Sequence, residues 1–176
     1  YNISWSIKSI DFNKKIKTWK TIERQGGGIK NIFLTHVLSY CEHFFGSNRL
    51  NSVKIKYSRF KGIEYKRYIS LKISNPNDIK GKVTVFNKKN GLQNHNIKIS
   101  FEKGNIQLFT KSKDWTKDFI LKVQTKNKTT KIKSINNFED GRSTQIYNML
   151  KKFSKKNNYN NINLGLNAEE INSKIN

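Results

Sequence analysis

A histidine stands two turns into a helical pattern that opens on a run of glycines. Gly26, Gly27 and Gly28 precede the pattern, His36 follows the last glycine by eight residues, and Gly46 closes it. Imidazole exchanges protons near neutral pH, so His36 is a candidate general acid or base. Glycine backbone can approach a ligand or another chain segment closely. The segment predicts either the wall of an active site or a flexible turn followed by a structural, partly buried histidine.

The element that must position His36 is a helix spanning about 28–45. Apolar residues recur at the i, i+3, i+4 spacing of one buried helix face: Ile29, Phe33, Val37, Tyr40, Cys41 and Phe44. His36 is close to this stripe, one turn before Tyr40, so it is expected to lean inward. Gly46 is expected to form a left-handed cap at the end of the helix.

Most of the remaining chain reads as short strands separated by turn residues. Alternating apolar residues predict strands at 2–7, 53–57, 65–73, 83–86, 97–101, 106–108 and 119–123. Short turns between consecutive strands favour an antiparallel meander, and His95 is placed in an Asn-rich turn. Helices are expected at 142–156 and 168–175, joined by a polar linker at 157–163. The predicted fold is α+β: one domain over 1–176 with an open, mainly antiparallel sheet, helices packed on one face and lysines on the other.

Composition narrows the possible functions. The single cysteine excludes an internal disulfide framework and points to the cytoplasm, and no apolar run is long enough to predict a membrane span. The net charge is +23, yet 30 of the 35 basic residues are lysines. Lys, Asn and Ile share AT-rich codons, and sequence-specific nucleic-acid recognition favours Arg. These observations weigh against a nucleic-acid partner.

The chain begins at Tyr1 inside a predicted strand, which suggests a fragment of a longer protein.

The segment from Gly26 to Gly46 resembles the start of the C-terminal domain of the Gfo/Idh/MocA family (glucose-fructose oxidoreductase/inositol dehydrogenase). In that family a Gly-Gly-Gly helix carries a histidine eight residues after its last glycine. The strand–turn–strand around Gly104 and the Asp-Gly-Arg at 140–142 before a helix are weaker points of likeness. The resemblance implies an NAD- or NADP-dependent oxidoreductase that moves a hydride to or from a hydroxyl carbon of a sugar, nucleotide-sugar or cyclitol. It also implies a homo-oligomer through the sheet face and a separate N-terminal Rossmann domain, absent from this chain, so the chain alone is not expected to be active.

The resemblance also assigns roles to residues of this chain. His36 would face the nicotinamide and act on the substrate hydroxyl, and Gly27 and Gly28 would let substrate approach the helix. From their position beside the bend, Arg24 and Lys30 could hold a carboxylate or phosphate of the substrate or be solvated surface charges. Trp19 could line the pocket or pack against the sheet, and Tyr40 is a further substrate-binding candidate. No metal site is expected, since His36 and His43 lack further ligands at suitable spacing.

Two positions depart from the family pattern. Many members carry an aspartate four residues before the histidine and another three after it, whereas this chain has Ile32 and Ser39 there. Neither residue can share a proton with His36 as an aspartate would. Two alternatives therefore stay open: a non-catalytic member of the same fold, and a basic sheet module that binds RNA or another polyanion. Candidate aromatic residues for the second are Tyr57, Tyr65 and Tyr68.

Overall fold

The chain folds around one eight-stranded sheet. The computed structural model describes residues 1–14, 16–60, 62–88, 93–110, 118–133 and 168–175. The strands are β1 (Asn2–Ile7), β2 (Arg49–Phe60), β3 (Ile63–Ser74), β4 (Lys80–Asn87), β5 (Asn94–Phe101), β6 (Gly104–Thr110), β7 (Ile120–Thr125) and β8 (Thr129–Lys133).

The strands lie in the order β2-β3-β4-β1-β5-β6-β7-β8. β1 is parallel to β4, and every other neighbouring pair is antiparallel. The predicted α+β class with an open, mainly antiparallel sheet is therefore confirmed. The simple meander is incomplete, because β1 separates two meanders, β2–β4 and β5–β8, and joins them at the centre. β8 has no counterpart among the predicted strands.

Among the described residues, the helices are short except for the one that follows the glycines. α1 covers Ile10–Lys14, and two 3-10 turns follow at Trp19–Thr21 and Glu23–Gln25. The long helix begins at residue 28, passes through a π turn at Lys30–Leu34 and continues as α2, Thr35–Phe45. A last helix, α3, covers 168–173. The predicted helix at 142–156 and the linker at 157–163 lie outside the described residues, and no described helix is long and apolar enough to cross a membrane.

One face of the sheet, here called the covered face, packs against α2 and α3. On β1 it presents Ile3, Trp5 and Ile7, as the alternation predicts. The cluster they join has these other buried members: Ile29, Leu34, Val37, Leu38, Cys41, Ile69, Leu71, Ile73, Val83, Val85, Ala168, Ile171 and Ile175. The opposite face, here called the outer face, carries Asn2, Ser4 and Ser6 on the same strand.

The buried stripe of the long helix is displaced from the predicted one. Phe44 was expected to be buried but is 59% exposed, whereas Leu34 and Leu38 are fully buried. A π turn holds one residue more than an α turn, so positions after Lys30–Leu34 are offset by about one residue from a count that starts at Ile29. Gly46 has the positive φ expected of it, 78°, but its ψ of −171° lies outside the left-handed helical region.

Candidate active site

The glycine bend is held by the chain's own packing. A Cβ on Gly27 would lie 2.1 Å from the carbonyl oxygen of Trp19, and a Cβ on Gly28 would lie 2.7 Å from Cγ of Glu23. Gly28 also has a φ of 85°, which disfavours other residues. Of the two interpretations of these glycines, close approach of another chain segment accounts for Gly27 and Gly28. Gly26, with a φ of 82°, has open space where a Cβ would point.

Asn31 ties this bend to the start of the long helix. Its Nδ2 donates hydrogen bonds to the carbonyl oxygens of Glu23, at 3.1 Å, and Gly27, at 2.9 Å. Two carbonyls of the turn are thus satisfied by one side chain from the helix they precede. The bend is consequently fixed relative to His36, which is five residues further along the same helix.

A largely buried ion pair anchors the bend to the sheet. Nζ of Lys66, on β3, lies 2.7 Å from Oε2 of Glu23, and the backbone N–H of Lys66 donates to Oε1 at 3.3 Å. Lys30 lies near this pair. Burial and then the charge of Lys66 lower the pKa of the Lys30 ammonium.

His36 is exposed, in contrast to the inward orientation expected from the sequence. The position offset introduced by the π turn places Val37 and Leu38, and not His36, on the buried side. Ser39 donates its hydroxyl proton to the carbonyl of Thr35 at 3.0 Å, and Ile32 is half-buried. Within the described residues the exposed His36 imidazole has no hydrogen bond or ion pair.

The other candidate residues divide into an accessible group and a covered group. Trp19 is 56% exposed, and Arg24 is exposed in the 3-10 turn just before the glycines. Gly27 and Gly28 are buried. Tyr40 is half-buried, its ring centroid lies 5.9 Å from that of His95, and burial raises the pKa of its phenol. Trp19, Arg24 and His36 therefore remain available to a ligand, while Tyr40 packs towards the sheet.

His95 was predicted to be a loop residue, and this is wrong. It lies in β5 opposite Trp5 of β1, is 5% exposed, and stacks on the Trp5 ring with the centroids 4.4 Å apart. The ring of Phe119 meets it edge-on at 6.0 Å. Both ring nitrogens are buried without a hydrogen-bond partner among the described residues. Burial lowers the pKa of His95 to about 4, so the imidazole is neutral at physiological pH.

A signal for His95 was present in the sequence. His95 is two residues before Ile97 and four before Ile99, so it continues their period-two alternation on the covered face. Asn94 and Asn96, which flank His95, are of a residue type common in turns. The sequence around His95 therefore favours a turn over a strand. Lys66 gives a comparable case, since nothing local in the sequence pairs it with Glu23, 43 residues earlier.

The described residues offer no cluster of three or more His, Cys, Asp or Glu that could hold a metal ion. His43 is exposed on α2. Cys41 is fully buried, and burial raises the pKa of its thiol to about 12, which leaves it without thiolate character at neutral pH.

Solved structures of oxidoreductases share this fold. KijD10, a 3-ketoreductase from Actinomadura kijaniata crystallised with NADP and TDP-benzene, superposes with a TM-score of 0.74 at 8% identity, over 99% of this chain and 52% of its own. A protein from Erwinia carotovora atroseptica, assigned as an oxidoreductase, gives 0.71 at 13% identity over 97% and 52%. One from Thermotoga maritima gives 0.65 at 11% identity over 96% and 49%.

The chain spans about half the length of these structures. The chain therefore has the fold of one part of each of these structures. At identities of 8–13% the likeness establishes the architecture and not the residues of a site. The sequence matches no family model and no curated protein.

Proposed function

We propose that the chain is the C-terminal, substrate-binding part of a cytoplasmic NAD(P)-dependent oxidoreductase of the Gfo/Idh/MocA family. The substrate would be a sugar, a nucleotide-sugar or a cyclitol, oxidised or reduced at a hydroxyl carbon. The observation that carries the proposal is the likeness of nearly the whole chain to half of an NADP-bound 3-ketoreductase. The glycine bend and the exposed His36, at the spacing typical of that family, support it from the sequence side.

In this proposal His36 holds or transfers the proton of the substrate hydroxyl. The imidazole is exposed and has no polar partner among the described residues, so a substrate oxygen can take that place. An Asp–His pair is excluded at Ile32 and Ser39. The substrate oxygen, rather than an aspartate at either position, would orient the imidazole ring.

Trp19, Arg24 and Lys30 are the other residues we assign to the substrate. Trp19 offers an exposed flat ring, and Arg24 an exposed guanidinium that can bind a phosphate or carboxylate in bidentate fashion. Lys30 is less exposed, and its pKa is lowered by burial and by Lys66. An anionic substrate group near Lys30 would therefore relieve an unfavourable concentration of positive charge.

The dinucleotide would be held mainly by the Rossmann domain that we propose lies upstream in the complete reading frame. Within this chain the bare Cα positions of Gly27 and Gly28 are filled by Trp19 and Glu23, so they form no cradle for a pyrophosphate. Only Gly26 leaves such space open. A bound nicotinamide would supply or accept the hydride, and the residues of this chain would bind the substrate and take up or release its proton.

Assembly through the outer face is a further part of the proposal, implied by the family resemblance. The outer face is rich in lysine, and a two-fold contact would bring like charges together. We therefore expect self-association to be weak at low ionic strength and to strengthen when salt or multivalent anions are added. Sedimentation velocity at several salt concentrations measures this.

The decisive test changes His36 in the enzyme encoded by the complete reading frame. His36→Gln should lower kcat by about 10²–10⁴-fold, the usual contribution of general acid–base catalysis, while the melting temperature stays within about 1 °C. His43→Gln is the matched control, since His43 is also exposed on α2, two turns further on. It should leave kcat unchanged.

Two results would contradict the proposal. Equal activity of the His36 variant and the control would remove the catalytic role of His36. An upstream reading frame without a strand followed by Gly-x-Gly-x-x-Gly, and without a later Glu-Lys-Pro, would remove the oxidoreductase assignment altogether.

A further inference from the structure

Strand β2 forms one long edge of the sheet. It has 12 residues and stands first in the strand order, so β3 is its only neighbour among the described strands. In an antiparallel pair, every other residue turns its N–H and C=O away from the neighbouring strand. Such a row of outward backbone groups is a template for pairing with a further strand. The opposite edge strand, β8, has only 5 residues, and its shortness limits pairing there.

One side of β2 continues the apolar covered face beyond the helices. The cross-strand partners of Val53 and Ile55 on β3 are fully buried, and Lys66, the partner of Tyr57, is buried on the same face. On β2 itself the burial ends, since Val53 is 42% exposed, Ile55 is half-buried and Tyr57 is 48% exposed. These three side chains, here called the apolar strip, therefore extend the surface of the core into solvent.

The other side of β2 is basic at the same level. Lys54 and Lys56 alternate with the apolar strip, and both are exposed. The additional residue of the register shift at Lys56/Tyr57 lies on β3, so the alternation along β2 is unbroken from 53 to 57. Because successive side chains of a strand point to opposite faces, a strand laid beside β2 meets apolar and cationic side chains in turn. Apolar residues opposite the strip and carboxylates opposite the lysines both give favourable cross-strand pairs.

A second copy of β2 fits this edge poorly. A two-fold pairing centred on Ile55 would place Val53 opposite Tyr57, which is favourable, but it would also place Lys54 opposite Lys56 twice. A pairing centred on either lysine would bring that lysine against its own copy. Like charges directly opposite each other destabilise a sheet, and lysine on an edge strand is a common protection against self-pairing. The edge therefore selects a strand of the opposite charge.

We propose that the β2 edge binds an extended acidic segment of a partner protein, which adds a ninth strand to the sheet. Backbone hydrogen bonds along the edge supply affinity, and the alternating side chains supply specificity. In the bound segment, apolar residues face the apolar strip, and Asp or Glu residues face Lys54 and Lys56. The added strand lies beside the sheet and not on its outer face, so this contact is compatible with assembly through that face.

The test uses a fluorescent eight-residue peptide in which Val and Glu alternate, with both ends blocked. It is titrated at 100 mM NaCl into this chain and into the enzyme encoded by the complete reading frame, and saturable binding is expected for both. Lys54→Gln/Lys56→Gln should raise the Kd about 2–30-fold, the effect of losing two cross-strand charge pairs. Lys126→Gln/Lys128→Gln is the matched control, because these exposed lysines have the same spacing in the turn before β8. It should leave the Kd unchanged.

Methylation of the peptide backbone tests for strand addition itself. Two peptides carry N-methyl groups on alternate residues, one on the Val positions and the other on the Glu positions. A strand at an edge uses only one alternate set of its N–H groups for pairing. One methylated peptide should therefore lose binding, whereas the other should keep it.

The apolar strip is tested with Val53→Thr. Threonine keeps the branched shape at Cβ but replaces a methyl group by a hydroxyl, so the Kd should rise about 2–5-fold. Val53 is largely exposed, so the urea midpoint of this variant should stay close to that of the parent chain. A loss of binding is then not a loss of folding.

Four outcomes would overturn the proposal. They are equal weakening by the two lysine variants, equal binding of a peptide with its four Glu and four Val in separate blocks, full binding of both methylated peptides, and binding to this chain but not to the complete enzyme. The last result would mean that an upstream domain already covers β2. None of these measurements involves the substrate or cofactor, so failure here leaves the oxidoreductase proposal untouched.

Discussion

The two faces of the sheet differ in how far they expose ionisable residues to water. The covered face buries His95 and Lys66, whereas the outer face carries five lysines, four of them exposed and one half-buried: Lys72, Lys82, Lys98, Lys131 and the half-buried Lys122. Burial keeps the His95 imidazole neutral, and the buried Lys66 ammonium is paired with the Glu23 carboxylate. Within the described residues the five outer-face lysines have no ion pair. Water stabilises their charges individually, and the repulsion between Lys72 and Lys82, which lie opposite each other on β3 and β4, remains.

This difference shows which residues carry stability and which remain available for function. On the covered face the polar side chains are packed against neighbouring residues, so substitutions there should lower the free energy of unfolding. On the outer face most of the lysines are exposed, so their substitution should change binding more than stability. Strand β1 contains both environments in alternate residues, which makes it the best place to test the contrast.

The largest effect is expected for Trp5→Ala. The Trp5 ring is 1% exposed, stacks on His95, and receives the ring of Phe33 edge-on at 5.2 Å. Removing a ring of this size from a packed interior costs about 3–5 kcal/mol of unfolding free energy. Ser4→Ala, one residue away on the outer face, should cost about 0.5 kcal/mol or less. Urea denaturation followed by circular dichroism measures both, and similar losses would erase the contrast between the faces.

A smaller effect should appear as a pH dependence that belongs to His95. Its pKa is about 4 in the folded chain and about 6.5 in the unfolded one, so between these values the unfolded chain binds the extra proton. Stability should fall as the pH drops from 6.5 to 4, by about 3 kcal/mol in total, and this group contributes no further loss below pH 4. The nearest groups are the rings of Trp5, Tyr40 and Phe119, none of which offers a compensating charge.

His95→Phe isolates this contribution. The variant keeps a ring between Trp5 and Phe119 but cannot be protonated. Its unfolding free energy should lose about 3 kcal/mol less than that of the parent chain between pH 7 and pH 4. If the unfolding free energies of the two proteins change equally with pH, His95 is solvated or hydrogen-bonded. That result would contradict the burial of His95 on the covered face.

Sequence periodicity predicts the covered face well where the pattern is purely apolar. Ile3, Trp5 and Ile7 alternate, and each is buried as expected. Periodicity fails to predict the burial of His95, because a polar residue at the start of a strand is easily assigned to the preceding turn. It also fails beyond the π turn, because a count of 3.6 residues per turn from Ile29 assigns Phe44 to the core.

Long-range pairing is the part of the fold that local patterns do not contain. β1 pairs with β4 and β5, neither of which follows it directly, and irregularities in the β2–β3 register at Leu50/Ser52 and Lys56/Tyr57 decide which residues share a row. The outer face brings Lys72, Lys82 and Lys98 together from three strands only because β1 lies between β4 and β5. Similarly, the spacing of His36 from the glycines is evident in the sequence, whereas its exposure depends on the π turn at Lys30–Leu34.

The smallest of these effects compares two ion pairs. Lys66→Met leaves the Glu23 carboxylate without its partner, where the two side chains are 10% and 26% exposed. Loss of one member of a fully buried pair costs about 3–5 kcal/mol, and the residual exposure of Glu23 reduces our expectation to about 2 kcal/mol. Glu64→Gln is the matched control, because the Arg59–Glu64 pair is 82% and 52% exposed and should be worth about 0.5 kcal/mol or less.

The double variant Glu23→Gln/Lys66→Met then distinguishes pairing from packing. Removing both charges eliminates the uncompensated carboxylate, so the double variant should be more stable than Lys66→Met alone. A double variant that is less stable by the sum of both single losses would mean that Glu23 holds the glycine bend through its contact with Gly28 and not through its charge. In that case the Glu23 side chain would hold the bend by packing, together with the hydrogen bonds that Asn31 donates to the bend.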